Sequence, residues 1–116
     1  MKKLFPAIII TVSVLLMLLS MINDSFIVDE IPHVGAGYSY VTKGDMRLNP
    51  EHPPLAKDLA GLALLTLNLN QSVFRSTFWN TDINGQWEFG RRLIYDSGNN
   101  ADEITYVARL PLLLFF

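Results

Sequence analysis

The sequence predicts an all-α membrane protein: one transmembrane helix, a loop outside the cytoplasm with two short juxtamembrane helices, and the start of a second transmembrane helix. Three observations predict it. The stretch from Leu4 to Ile22 runs for 19 residues without a charge. The tail from Leu110 to Phe116 is apolar again. Between them lies ordinary polar sequence, so the charged fraction of 17% falls below the roughly 25% of soluble domains because of those two stretches. Half of the 116 residues are hydrophobic and none is cysteine, which excludes a disulfide framework, a thiolate metal site and a thiol nucleophile. A net charge of −2 gives no electrostatic footprint for nucleic acid. The length holds one domain at most.

Taken in order, residues 1–3 form a cytoplasmic tail and residues 4–22 the first transmembrane helix. A spanning helix needs about 20 apolar residues. A cleaved signal peptide is the first competitor, but its apolar region runs about 7–15 residues and ends in a small-x-small site. Leu18-Leu19-Ser20 lacks that site. Lys2 and Lys3 precede the stretch, and the positive-inside rule puts them in the cytoplasm. Residues 23–103 carry six basic and eleven acidic residues, a net of −5, and are expected outside it.

A helix is expected over residues 30–43, with Asp29 as its cap, Glu30 in the first turn and Gly44 ending it in a left-handed conformation. Asp29, His33, Gly37 and Tyr40 then share one side. Gly35 and Gly37 are poor helix formers, so their presence implies close approach of a helix or a ligand. Residues 45–52 read as a turn-rich link. A second helix is expected over residues 53–67, opened by Pro53-Pro54. Its apolar face would hold Leu55, Leu59 and Leu62, with Lys57 and Asp58 facing away, and it would lie along the interface. Residues 68–100 are polar with scattered aromatics, a pattern suited to a loop against a bilayer. Residues 104–116, ITYVARLPLLLFF, are too few to span and read as the truncated start of a return helix.

The chemistry-bearing candidates are few. Asp29-Glu30 could supply a general base or a ligand for a cationic group; a solvated helix cap is the plainer reading. His33 could be oriented by Asp29 or bind phosphate. A metal set of His33, His52, Asp45 and Glu51 can be drawn, although no spacing demands it, so a divalent metal is left open. Arg109 sits within the second apolar stretch, where it either snorkels or binds an anionic headgroup. Asn23-Asp24-Ser25 and Asn70-Gln71-Ser72 match the N-glycosylation pattern. No G-x-S-x-G, Walker A, H-E-x-x-H or dinucleotide fingerprint occurs.

The run Asp29-Glu30-Ile31-Pro32-His33-Val34-Gly35-Ala36-Gly37-Tyr38, followed by Lys43-Gly44-Asp45 and Asn49-Pro50-Glu51-His52-Pro53-Pro54-Leu55-Ala56-Lys57, resembles the first outside loop of polyprenyl-phosphate-sugar-dependent glycosyltransferases of the GT-C, protein O-mannosyltransferase-like group. Trp87 to Tyr95, Gly98 to Asp102 and Ala108-Arg109-Leu110-Pro111 resemble the same group's approach to its second membrane helix. The resemblance implies a multi-pass enzyme of which this is the amino-terminal part, inactive alone. It implies transfer of a hexose or pentose from a polyprenyl-phosphate carrier to the hydroxyl of a protein, lipid or glycan acceptor, at the outer face of a lipid bilayer. Asp29 takes the catalytic-base role with Glu30 beside it. His33, His52, Lys57 and Arg109 are implied to lie near the carrier phosphate or substrate. The competing readings are a small membrane-anchored accessory or binding protein without catalysis and a secreted binding domain.

Overall fold

The computed structural model describes residues 4–82 and 84–115. Lys2 and Lys3, and with them the cytoplasmic tail, lie outside the described residues. Six α-helices occur among the described residues: α1 (Leu4–Ser20), α2 (Glu30–Lys43), α3 (Leu55–Leu64), α4 (Thr77–Asn80), α5 (Gln86–Arg91) and α6 (Ala101–Arg109). Short 3-10 turns cover Ser72–Arg75 and Leu110–Phe115, and a π-helical turn over Arg92–Asp96 continues α5.

The expected membrane architecture is not what forms. Among the described residues no helix is long and apolar enough to cross a membrane. The 17 residues of α1 reach about 25 Å at 1.5 Å per residue, short of a hydrocarbon core of about 30 Å. The helix stops at Ser20, and Asn23 turns the chain with φ of 58°. No residue of α1 is buried, and most of its apolar side chains are exposed. The second apolar stretch is not the opening of a spanning helix either. It divides into the end of α6 and a 3-10 turn that begins at Leu110, one residue before Pro111. α6 is amphipathic: Ile104, Thr105 and Ala108 are buried while Asp102 and Glu103 are exposed. Its start is fixed by Asn100, whose side chain accepts from the Asp102 and Glu103 amides at 3.1 and 3.2 Å.

α2 is the central element rather than a surface helix. Pro32 and the whole run Val34–Tyr40 are buried, with α3 on one side and α5 on another. It begins and ends where the sequence predicts, and Gly44 has φ of 65°, with its amide donating to the Tyr40 carbonyl. The α2–α3 crossing is close. A Cβ at Gly37 would lie 2.0 Å from the Lys57 carbonyl oxygen, and one at Gly61 would lie 2.2 Å from that of Gly37. The glycines are therefore what lets the two backbones touch.

That crossing reverses the expected face of α3. Lys57, Ala60, Gly61 and Leu64 are buried, whereas Leu55, Leu62 and Leu65 are exposed. Small residues must face α2 at the closest approach, so Leu55, Leu62 and Leu65 point outward. The aromatics of residues 68–100 are likewise mostly internal. Phe74 lies edge-on to Trp79 and Phe89 at centroid distances of 5.0 and 5.2 Å, and Phe89 is fully buried. Trp87 and Tyr95 remain exposed.

Candidate functional site

The amino-terminal end of α2, the 45–52 link and α6 converge around two adjoining cavities. One, of about 440 Å³, is polar and is lined by Asp29, His33, Asn49, Glu51, His52 and Gln86, among others. The other, of about 270 Å³, is mostly apolar, with Phe26, Val34, Ala60 and Leu112 in its walls and Lys57 and Arg109 at its margin. His33 and His52 line both. Their rings meet edge to face at 5.0 Å between centroids, so the imidazole pair is the shared wall.

The structure brings all six predicted site residues to these two cavities. Asp29 does not cap α2 with its side chain. The Glu30 carboxylate accepts from the Ile27 amide at 3.0 Å instead. The Asp29 carboxylate is exposed and has no hydrogen-bond partner among the described residues, and it opens on the polar cavity.

Glu30 and Arg109 are bound to each other. Arg109 Nε donates to Glu30 Oε1 at 3.0 Å and Nη2 to Glu30 Oε2 at 2.6 Å, a bidentate fork. Nη1 reaches Asp24 Oδ2 at 2.5 Å and Nη2 also reaches the Ser25 carbonyl. These carboxylates hold the guanidinium pKa above its ordinary value, the Glu30 bonds most of all. Arg109 thus ties α6 to the start of α2 and is not the free cation that a snorkelling or headgroup-binding residue would be.

Lys57, expected to face away, is 3% exposed. Its Nζ donates to the Asn49 and His52 carbonyls, both at 2.7 Å, and to Asn49 Oδ1 at 3.0 Å. Burial lowers its pKa, with Asp58 and Glu51 acting in the opposite direction. The Tyr40 hydroxyl donates to the Leu48 carbonyl and lies 3.0 Å from that of Asn49. Asn49, in a left-handed conformation with φ of 56°, donates through Nδ2 to Gln86 Oε1 at 2.5 Å. Gln86 in turn reaches Glu51 Oε1 at 3.3 Å. This network fixes Glu51 against α5 and His52 against α3. Sequence reasoning missed Asn49 and Gln86 as parts of the site; the Asn49-Pro50 turn signal was legible, its partner 37 residues away was not.

Burial lowers the His33 pKa, His52 and Lys57 lower it further, and Asp29 and Glu51 act the other way. These effects bias the ring toward its neutral form. Among the described residues no three His, Asp or Glu side chains gather to hold a metal ion. Asp45, one member of the set drawn from sequence, is instead bound by Arg47, whose Nε lies 2.8 Å away.

No protein-family profile, curated protein or solved structure matches this chain.

Proposed function

We propose that this chain carries part of the substrate site of a glycosyltransferase that uses a polyprenyl-phosphate-linked sugar, working at a bilayer surface outside the cytoplasm. The observation that carries the reading is the unpartnered Asp29 carboxylate on a polar cavity that adjoins an apolar one with the Lys57 ammonium in its lining. The apolar cavity suits the first isoprene units of the carrier, and the polar one suits the sugar and acceptor. In the reaction the acceptor oxygen bonds to the anomeric carbon, the carbon–oxygen bond to the carrier phosphate breaks, and the hydroxyl proton passes to Asp29. Polyprenyl phosphate leaves. The charge on Lys57, not cancelled by a hydrogen-bonded carboxylate, favours that anion. His33 stands beside Asp29 to orient the acceptor hydroxyl.

The test is sugar transfer from a short-chain polyprenyl-phosphate sugar, read by mass spectrometry, in membranes holding equal amounts of each variant made in the full-length enzyme that the reading implies. Asp29→Asn is expected to lose roughly 10²–10⁴ in rate, while Asp82→Asn, on an exposed turn, leaves transfer unchanged. Near-normal transfer by Asp29→Asn refutes the base. Donor binding without transfer by the wild type favours an accessory binding protein instead.

A further inference from the structure

A separate pocket of about 280 Å³ lies where the 3-10 turn Ser72–Arg75 meets the π-helical turn Arg92–Asp96. It shares no lining residue with the two cavities described above. Its walls are rich in donors. Arg75 has no hydrogen-bond or ion-pair partner among the described residues, and neither do the Ser72 and Ser97 hydroxyls. The Arg92 guanidinium lies over the Phe78 ring, 5.0 Å from its centroid, and its closest approach to Glu88 is Nε at 3.5 Å. The carboxylate in the wall, Asp96, is already bound by Arg91 Nη1 at 2.5 Å. The Arg91 side chain also bridges to Glu88 at 2.5 Å, so both nearby carboxylates are satisfied without Arg75.

The backbone is arranged to keep this geometry. Asn70 Oδ1 accepts from the Ser72 amide at 2.9 Å. Asn99 joins the two turns: its Oδ1 accepts from the Asn70 amide and its Nδ2 donates to the Leu93 carbonyl, both at 2.7 Å. A π turn costs helix regularity, and such turns concentrate at functional sites. Here it brings Arg92, Asp96 and Ser97 to one rim.

We propose that this pocket is an anion site for a phosphate monoester. Arg75, Arg91 and Arg92 outnumber the Glu88 and Asp96 carboxylates and leave the pocket net positive, and guanidinium donors pair well with phosphate oxygens. Two hydroxyls complete a set of donors from two chain segments, more than the two oxygens of a carboxylate would use. The same headgroup chemistry occurs in a soluble sugar phosphate and in phosphatidic acid, and the test separates them.

The chain, isotopically labelled and held in maltoside micelles that contain no phosphate, is titrated with inorganic phosphate at pH 7.5 against chloride of equal ionic strength. Amide resonances of Ser72–Ser76 and Arg92–Ser97 are expected to shift saturably with phosphate alone. Arg75→Gln and Arg92→Gln, both at exposed side chains, should each weaken the apparent affinity by roughly tenfold or more, the usual worth of a charge-assisted hydrogen bond. Circular dichroism confirms that each variant stays folded. Glycerol 3-phosphate reproducing the shifts identifies a soluble ester as ligand. Arg75-dependent binding to phosphatidic acid vesicles, absent with phosphatidylcholine and with glycerol 3-phosphate, identifies the lipid. Equal shifts with phosphate and chloride overturn the proposal, as does phosphate binding that survives both arginine substitutions.

Discussion

Gly37→Ala places a methyl where the α3 backbone already stands. The added carbon would sit 2.0 Å from the Lys57 carbonyl oxygen, and an ordinary contact begins near 3.4 Å, so the helices must part by about 1.4 Å. Neither partner is a flexible side chain, and the cost falls at the upper end of overpacking, about 3 kcal/mol or somewhat more. The improved helix propensity of alanine returns about 1 kcal/mol. The net loss is about 2–4 kcal/mol, which lowers the melting temperature by roughly 8–16 °C for a chain of this size. Gly44→Ala is the comparison. Nothing lies within 4 Å of its added methyl, but φ is 65°, so it costs about 1 kcal/mol of backbone strain. Urea unfolding in maltoside, followed by circular dichroism, measures both. Gly61→Ala acts on the same crossing, so the Gly37/Gly61 double variant should lose less than the sum of the singles. If Gly37→Ala is as stable as Gly44→Ala, the close crossing of α2 and α3 is wrong.

Arg109→Gln should destabilise the chain by about 2 kcal/mol, because the partly buried Glu30 carboxylate is left without its fork. Adding Glu30→Gln should recover part of that loss in the same urea assay; no recovery would mean the pair does not interact. His33 titrates below its ordinary value of 6.5 in the folded chain, so the unfolded chain binds the proton more readily. Stability therefore rises with pH through the window below 6.5 and is lost on acidification. The difference in unfolding free energy between wild type and His33→Gln should shrink as the pH falls from 7 through that window; a constant difference would show that His33 is not desolvated.

The bounds of α2 were legible because local signals set them: an acidic first turn, Pro32 near the start and a left-handed Gly44 at the end. The α3 face was not, because hydrophobicity points to Leu55 and Leu62 while the fold buries Ala60 and Gly61. Backbone proximity selects for small size, and no hydropathy scale reports it. The ion pair between Glu30 and Arg109 joins residues 79 apart, beyond any local pattern. Asp29, His33 and His52 were recognised as candidates, yet their meeting around one imidazole wall depends on the link that Lys57 folds back. The two apolar ends misled for a simpler reason: composition marks a stretch as greasy and does not say where its helix stops. Asn23 and Pro111 set those limits.

Lys57 works on the 49–52 link much as a bound metal ion works on a coordination loop: one positive centre gathers oxygen ligands from both ends of a short segment. The difference is that this cation is covalently tethered. It has a fixed stoichiometry of one, no exchange rate, and no sensitivity to chelators or dilution; only loss of its proton or replacement of the residue releases the loop. An ammonium also has three N–H bonds, and Asn49, His52 and the Tyr40 hydroxyl offer four acceptors for them. A molecule entering the neighbouring cavity therefore meets Lys57 as a fixed electrostatic field and not as a hand that can let go of the loop to grip it.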